Sequence, residues 1–141
     1  MTTWTLNDGG REAAGYKGKT SDCVTRAIAI ATGLPYQQVY AAINAKIKDT
    51  RGRAGKGSAR TGVHKPVYRT YLESLGWRFV PTMGFGTGCK VHLKAEELPS
   101  GRIIASCSKH LVAVIDGVIH DTFDPSRDGT RCVYGYFTNQ R

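Results

Sequence analysis

The sequence predicts an α+β fold in which N-terminal helices pack on a C-terminal antiparallel sheet. Two observations carry this. Up to Gly76 the apolar residues fall into three stripes at helical spacing. Beyond it come short apolar runs punctuated by Gly, Pro and Asp, which read as strands and turns. Helices first and strands after them indicate α+β rather than a βαβ repeat. No internal repeat and no second domain is visible, so residues 1–141 read as a single domain. A chain of 141 residues is long enough to bury a real core. With 40% apolar and 22% charged residues the composition is globular, not disordered.

Asn7 to Thr20 is rich in Gly and Lys and reads as an irregular N-terminal segment. Ser21 or Asp22 can cap a helix starting near Cys23. In that helix Val24, Ala27, Ile28 and Ala31 fall at i, i+3, i+4 and i+7, a core-facing stripe. Gly33 is a good left-handed stop, and Pro35 suits the first turn of a second helix running to about Lys48. Tyr36, Val39, Tyr40, Ile43 and Ile47 form its apolar face. The segment Arg51 to Gly62, with four glycines and four cations, has no periodicity and reads as an exposed loop. A third helix covers about Lys65 to Leu75, with Tyr68, Tyr71, Leu72 and Leu75 on one face and Gly76 as the stop. Trp77 to Val80 then reads as a strand, Gly84 to Gly88 as a loop, and Lys94 to Leu98 as a short helix. Arg102 to Ser106 is a strand, residues 110–121 a hairpin, and Val133 to Phe137 a last strand.

The net charge of +9 favours acidic partners: an anionic protein or nucleic acid. Its densest part is Lys46 to Lys65. The four cysteines, Cys23, Cys89, Cys107 and Cys132, are scattered, and reduced thiols in a cytoplasmic protein are the expectation. No signal peptide is visible, and no apolar run approaches the roughly 20 residues needed to span a membrane.

The chemistry-bearing residues lie at two places. Cys23 stands at the start of the first helix, where the free N–H groups lower a thiol pKa. His110 opens the hairpin, and the returning strand reaches Asp121. If Asp116-Gly117 is a two-residue turn, Ile115 pairs with Val118 and Val112 lies opposite Asp121. Alternation then puts His110, Val112, Asp121 and Phe123 on one face, with Asp121 a diagonal neighbour of His110. His120 and Asp124 fall on the other face. A one-residue bulge would exchange Asp121 for His120 or for Asp124, the alternative orienting carboxylate. The three groups match the needs of thiol catalysis: Cys23 as nucleophile, His110 as base and then acid, Asp121 holding the imidazole tautomer. The Cys23 N–H would be one donor to an oxyanion.

Ser21-Asp22-Cys23-Val24-Thr25-Arg26-Ala27 and His110-Leu111-Val112-Ala113-Val114-Ile115-Asp116-Gly117, with Ile119-His120-Asp121, resemble papain-like cysteine peptidases. The bacteriocin-processing branch is nearest in style, and the whole also resembles small uncharacterised proteins of bacteriophages and prophages. The resemblance implies a papain-like fold with Cys23, His110 and Asp121 as nucleophile, base and orienter. It also implies a second oxyanion donor six residues before the Cys. Such peptidases usually have Gln there; here the position is Lys17, which can donate and adds a positive field. Val24 stands where Gly or Trp is usual.

Cys89-x-x-His92 and Cys107-x-x-His110 have spacings that could bind zinc only if each pair sat on a turn, since i and i+3 on a strand face opposite sides. Gly55-Lys56-Gly57-Ser58 lacks the spacing of a phosphate loop. No metal and no cofactor is expected. The reading is a thiol hydrolase that cleaves a peptide or isopeptide bond through an acyl-enzyme; deamidation and acyl transfer use the same parts. The alternative is a catalytically weak or inactive papain-like scaffold. It would grip an acidic protein or nucleic acid with an anion-binding loop of Arg51, Arg53, Lys56 and Arg60.

Overall fold

The computed structural model describes residues 3–15, 22–49, 57–58, 62–63, 65–84 and 86–139. Helix α1 (Cys23–Thr32) lies where the apolar run predicts it. The expected stripe is buried, and so are Thr25, Arg26, Ala29 and Ile30, because α1 packs both on the sheet and on helix α2 (Tyr36–Asp49). Gly33 ends α1 in the left-handed conformation at φ 77°, its N–H bonding the Ala29 carbonyl at 3.0 Å. Pro35 falls one residue before α2, where its carbonyl accepts the Val39 N–H at 3.2 Å. Asp22 does hold the N-cap position of α1, yet its side chain makes no cap bond. That carboxylate is engaged elsewhere, as described below. Helix α3 (Lys65–Ser74) buries Val67, Tyr68, Tyr71 and Leu72. Leu75, expected on that face, is past the helix end and 37% exposed. The Gly76 and Trp77 N–H groups fold back onto the Glu73 and Leu72 carbonyls there.

The strands are β1 (Trp4–Leu6), β2 (Gly57–Ser58), β3 (Gly62–Val63), β4 (Arg78–Pro81), β5 (Val91–His92), β6 (Arg102–Cys107), β7 (His110–Ile115), β8 (Val118–Asp121), β9 (Cys132–Val133) and β10 (Gly135–Thr138). The main sheet has the order β1-β8-β7-β6-β10-β4. The sheet is not wholly C-terminal or antiparallel, as expected, because β1 joins its edge parallel to β8. Residues 57–58 and 62–63, within and beside the segment read as loop, form a two-stranded ladder. The short helix expected at 94–98 is a single 3₁₀ turn, Ala95–Glu97.

Both faces of the sheet are covered. Leu111, Ala113, Ile104 and Phe137 pack with the three helices. Their strand neighbours Val112, Val114, Ile103 and Ala105 pack with Leu93, Ile119 and Val133 on the other side. Two-sided burial explains why β6 and β7 read as continuous apolar runs rather than as alternation. Arg102 fastens α1 to the sheet by donating to the Ile30 carbonyl at 3.0 Å, in the last turn of the helix, where carbonyls lack helical partners.

One expectation about the cysteines is overturned. Cys89 and Cys132 form a disulfide across 43 residues of sequence, with Cα atoms 5.8 Å apart. Cys23 and Cys107 are the free thiols. The scatter of cysteines along the chain hid this pairing, because it depends on β5 and β9 meeting in space. Among the described residues no helix is long and apolar enough to cross a membrane.

Candidate active site

The site is assembled by three tight local structures. Cys23 is the first residue of α1. His110 is the first residue of β7, placed there by a second hairpin in which Cys107 pairs with His110 across Ser108-Lys109, Lys109 having φ 55°. Asp121 is the last residue of β8. The turn between β7 and β8 is the two-residue one expected, with Asp116 at φ 49° and Gly117 at φ 81°. Ile115 pairs with Val118, Val114 with Ile119, and Ala113 with His120, the register that sets Asp121 beside His110.

His110 Nε2 lies 2.7 Å from Asp121 Oδ2. An ionised carboxylate only accepts, so Nε2 carries the hydrogen and donates. Nδ1 is the nitrogen left to face sulfur, and the His110 ring and the Cys23 thiol are hydrogen-bonded. The Leu111 backbone N–H donates to the Cys23 sulfur. The three residues named from the sequence therefore come together. The ring of Phe123, 48% exposed, leans on the His110 ring at 5.4 Å between centroids.

Electrostatics bring the pKa values of sulfur and imidazole toward each other. Burial of Cys23 opposes its charge, but the His110 hydrogen bond, the Leu111 N–H and the charges of His110 and Arg26 lower its pKa below the ordinary thiol value. Burial likewise opposes charge on His110, yet Asp121 and Cys23 together push it up to about 8. Asp121 is lowered despite burial, by His110, the Thr122 N–H and Arg26. Cys107, in contrast, is pushed up to about 11 by burial, with Arg131 and Arg127 opposing too weakly. Environment thus moves the two free thiols in opposite directions, Cys23 toward the thiolate and Cys107 away from it.

Sequence reasoning missed the ion network behind this triad. Arg26 donates to Asp22 and, at 3.2 Å, to Asp121 Oδ1. Asp22 also accepts from Tyr36 Oη at 2.6 Å and lies 3.6 Å from Arg11 Nε. The available signal was Arg26 itself, the single charge in the run Cys23 to Thr32, four residues after Asp22. Tyr68, read as a core residue, is buried as expected. It also lies near enough to Cys23 that burial and the sulfur's charge together raise its phenol.

Asp124 takes no part in the triad: its Oδ1 accepts the Ser126 N–H at 3.0 Å in a local turn. His120 turns to Asn7, its Nδ1 3.2 Å from Asn7 Nδ2. Lys17, Arg51, Arg53, Lys56 and Arg60 lie outside the described residues. Among the described residues no three His, Cys, Asp or Glu side chains form a group that could hold a metal ion. No family model, no curated protein and no solved structure matches the chain.

Proposed function

We propose that the protein is a papain-like thiol hydrolase, a cysteine peptidase or isopeptidase that works through an acyl-enzyme. The convergence of Cys23, His110 and Asp121 carries this reading, with the thiol pKa lowered and the imidazole pKa raised. In it, Cys23 sulfur attacks the carbonyl carbon of the scissile amide. The oxyanion forms at the start of α1, where the first N–H groups have no helical partner. The C–N bond then breaks as the His110 imidazolium gives its proton to the leaving amine. Water attacks the thioester, His110 takes the water's proton, and the acid product and free thiol are released. Asp121 keeps the proton on Nε2, so that Nδ1 is the nitrogen that exchanges protons at the sulfur side.

The net charge of +9 supports an acidic polypeptide as substrate. The experiment is turnover of a fluorogenic peptide library biased to acidic sequences, with intact-mass detection of the acyl-enzyme. Wild type should cleave and carry a transient thioester on Cys23. Cys23→Ala should do neither. Cleavage that persists in Cys23→Ala, or no acylation of wild type by any substrate or electrophilic probe, refutes the reading.

A further inference from the structure

Arg26 has a geometry that core packing alone does not require. It is the one charged residue of α1, it is buried, and it joins two buried carboxylates. One guanidinium nitrogen meets Asp22, and another meets Asp121 Oδ1 at 3.2 Å. The Thr122 N–H also donates to Oδ1, at 2.7 Å, while Oδ2 receives His110 Nε2 at 2.7 Å. Asp121 is thereby held at both oxygens. Asp22, the anchor for the other side of the guanidinium, is itself held by Tyr36 of α2 and by Arg11. The carboxylate that orients the base is thus tied, through a planar and fully charged fork, to the helix that presents Cys23 three residues earlier.

We propose that Arg26 is a positioning residue: it locks Asp121 in the rotamer that meets His110 and so joins the nucleophile's helix and the base's hairpin into one unit. Its purpose rests on the hydrolase reading; its test does not. The groups that face His110 are Asp121, Cys23 and the ring of Phe123, with Arg26 one carboxylate away. Loss of a nearby cation by itself would make the imidazolium easier to form and raise the His110 pKa. Loss of positioning frees Asp121 to turn away and lowers it. The two effects have opposite signs, and a purely structural role moves neither.

The experiment is NMR titration of the His110 ring, with the Cys23 alkylation rate measured in parallel. Arg26→Gln alone would leave Asp22 and Asp121 facing each other uncompensated, so it is combined with Asp22→Asn to keep the charge balance. Arg26→Lys keeps the charge and loses the fork. In the double variant the His110 pKa should fall from about 8 toward the ordinary value near 6.5. In Arg26→Lys it should fall part of the way, and Cys23 should alkylate several-fold more slowly than in wild type. A rise or no change in the double variant, or full wild-type behaviour with Lys, overturns the proposal. If wild-type Cys23 is no more reactive than an ordinary thiol, the hydrolase reading fails, while the His110 titration still decides what Arg26 does.

Discussion

Cys23 and His110 each meet a desolvation cost for charge; His110, the Leu111 N–H and Arg26 carry Cys23 past it, and Asp121 and Cys23 carry His110 past it. Their titrations therefore belong to the pair. Hydrolysis should rise with pH as the thiolate forms, below the ordinary thiol value, and decline above about 8 as His110 loses the proton it must give to the leaving amine. A pH–rate profile checks both limbs. Stability follows the same groups. His110 has its pKa raised on folding, so its contribution is full below about 6.5 and is lost as pH rises through about 8. Asp121 has its pKa lowered, so its contribution is present above about 3.9 and is lost as pH falls through the lowered value. Urea titrations at several pH values should show stability falling on both sides. The two carboxylates near the end of β8 should also separate cleanly. Asp121→Asn removes the acceptor that fixes the His110 tautomer and should cost roughly 10²–10⁴ in kcat. Asp124→Asn keeps an oxygen that can accept the Ser126 N–H and should cost less than about threefold. Steady-state kinetics of the two variants decide it, and equal losses would mean that Asp121 does not orient the base.

At the scale of elements, the β7–β8 hairpin fixes the distance between His110 and Asp121, and its turn fixes the hairpin. Gly117 has φ 81°, and a Cβ there would also meet the Ala95 Cβ at 3.0 Å. Gly117→Ala should destabilise the fold by about 1–2 kcal/mol. It should also slow Cys23 alkylation if register slip carries Asp121 from His110; denaturant melts and alkylation rates measure the two effects. The elements that were legible in the sequence are those with short-range causes. Asp116-Gly117 demands a two-residue turn, Gly33 a left-handed stop, and the Val24 to Ala31 stripe a helix, and all three stand as expected. What was illegible depends on partners distant in sequence. Trp4–Leu6 is too short to read as a strand and exists because β8 offers it an edge. Asp22 looks like a cap, but Arg26, Tyr36 and Arg11 compete for its carboxylate and win.

For the whole molecule, the same logic explains the cysteines. The triad could be read because helix start, strand start and hairpin register are local properties. The Cys89–Cys132 bridge could not, since it links segments 43 residues apart that meet only when the second face of the sheet is covered. In the chain-entropy account a loop of that length contributes about 4 kcal/mol. Reduction should therefore lower Tm by roughly 10 °C, and a calorimetric scan with and without reductant tests it. Native, non-reduced protein should offer one fast thiol, Cys23; Cys107 should react only after denaturation. Four thiols reacting without reductant would rule out the bridge.

The central claim is that the fold makes Cys23 a nucleophile by setting it against His110. The pH dependence of Cys23 alkylation in wild type and in His110→Ala tests this most directly. The wild-type midpoint should lie below the ordinary thiol value, and should shift back to that value or above it when the imidazole is removed. A wild-type Cys23 that titrates as an ordinary or buried thiol, with a profile indifferent to His110→Ala, would contradict it.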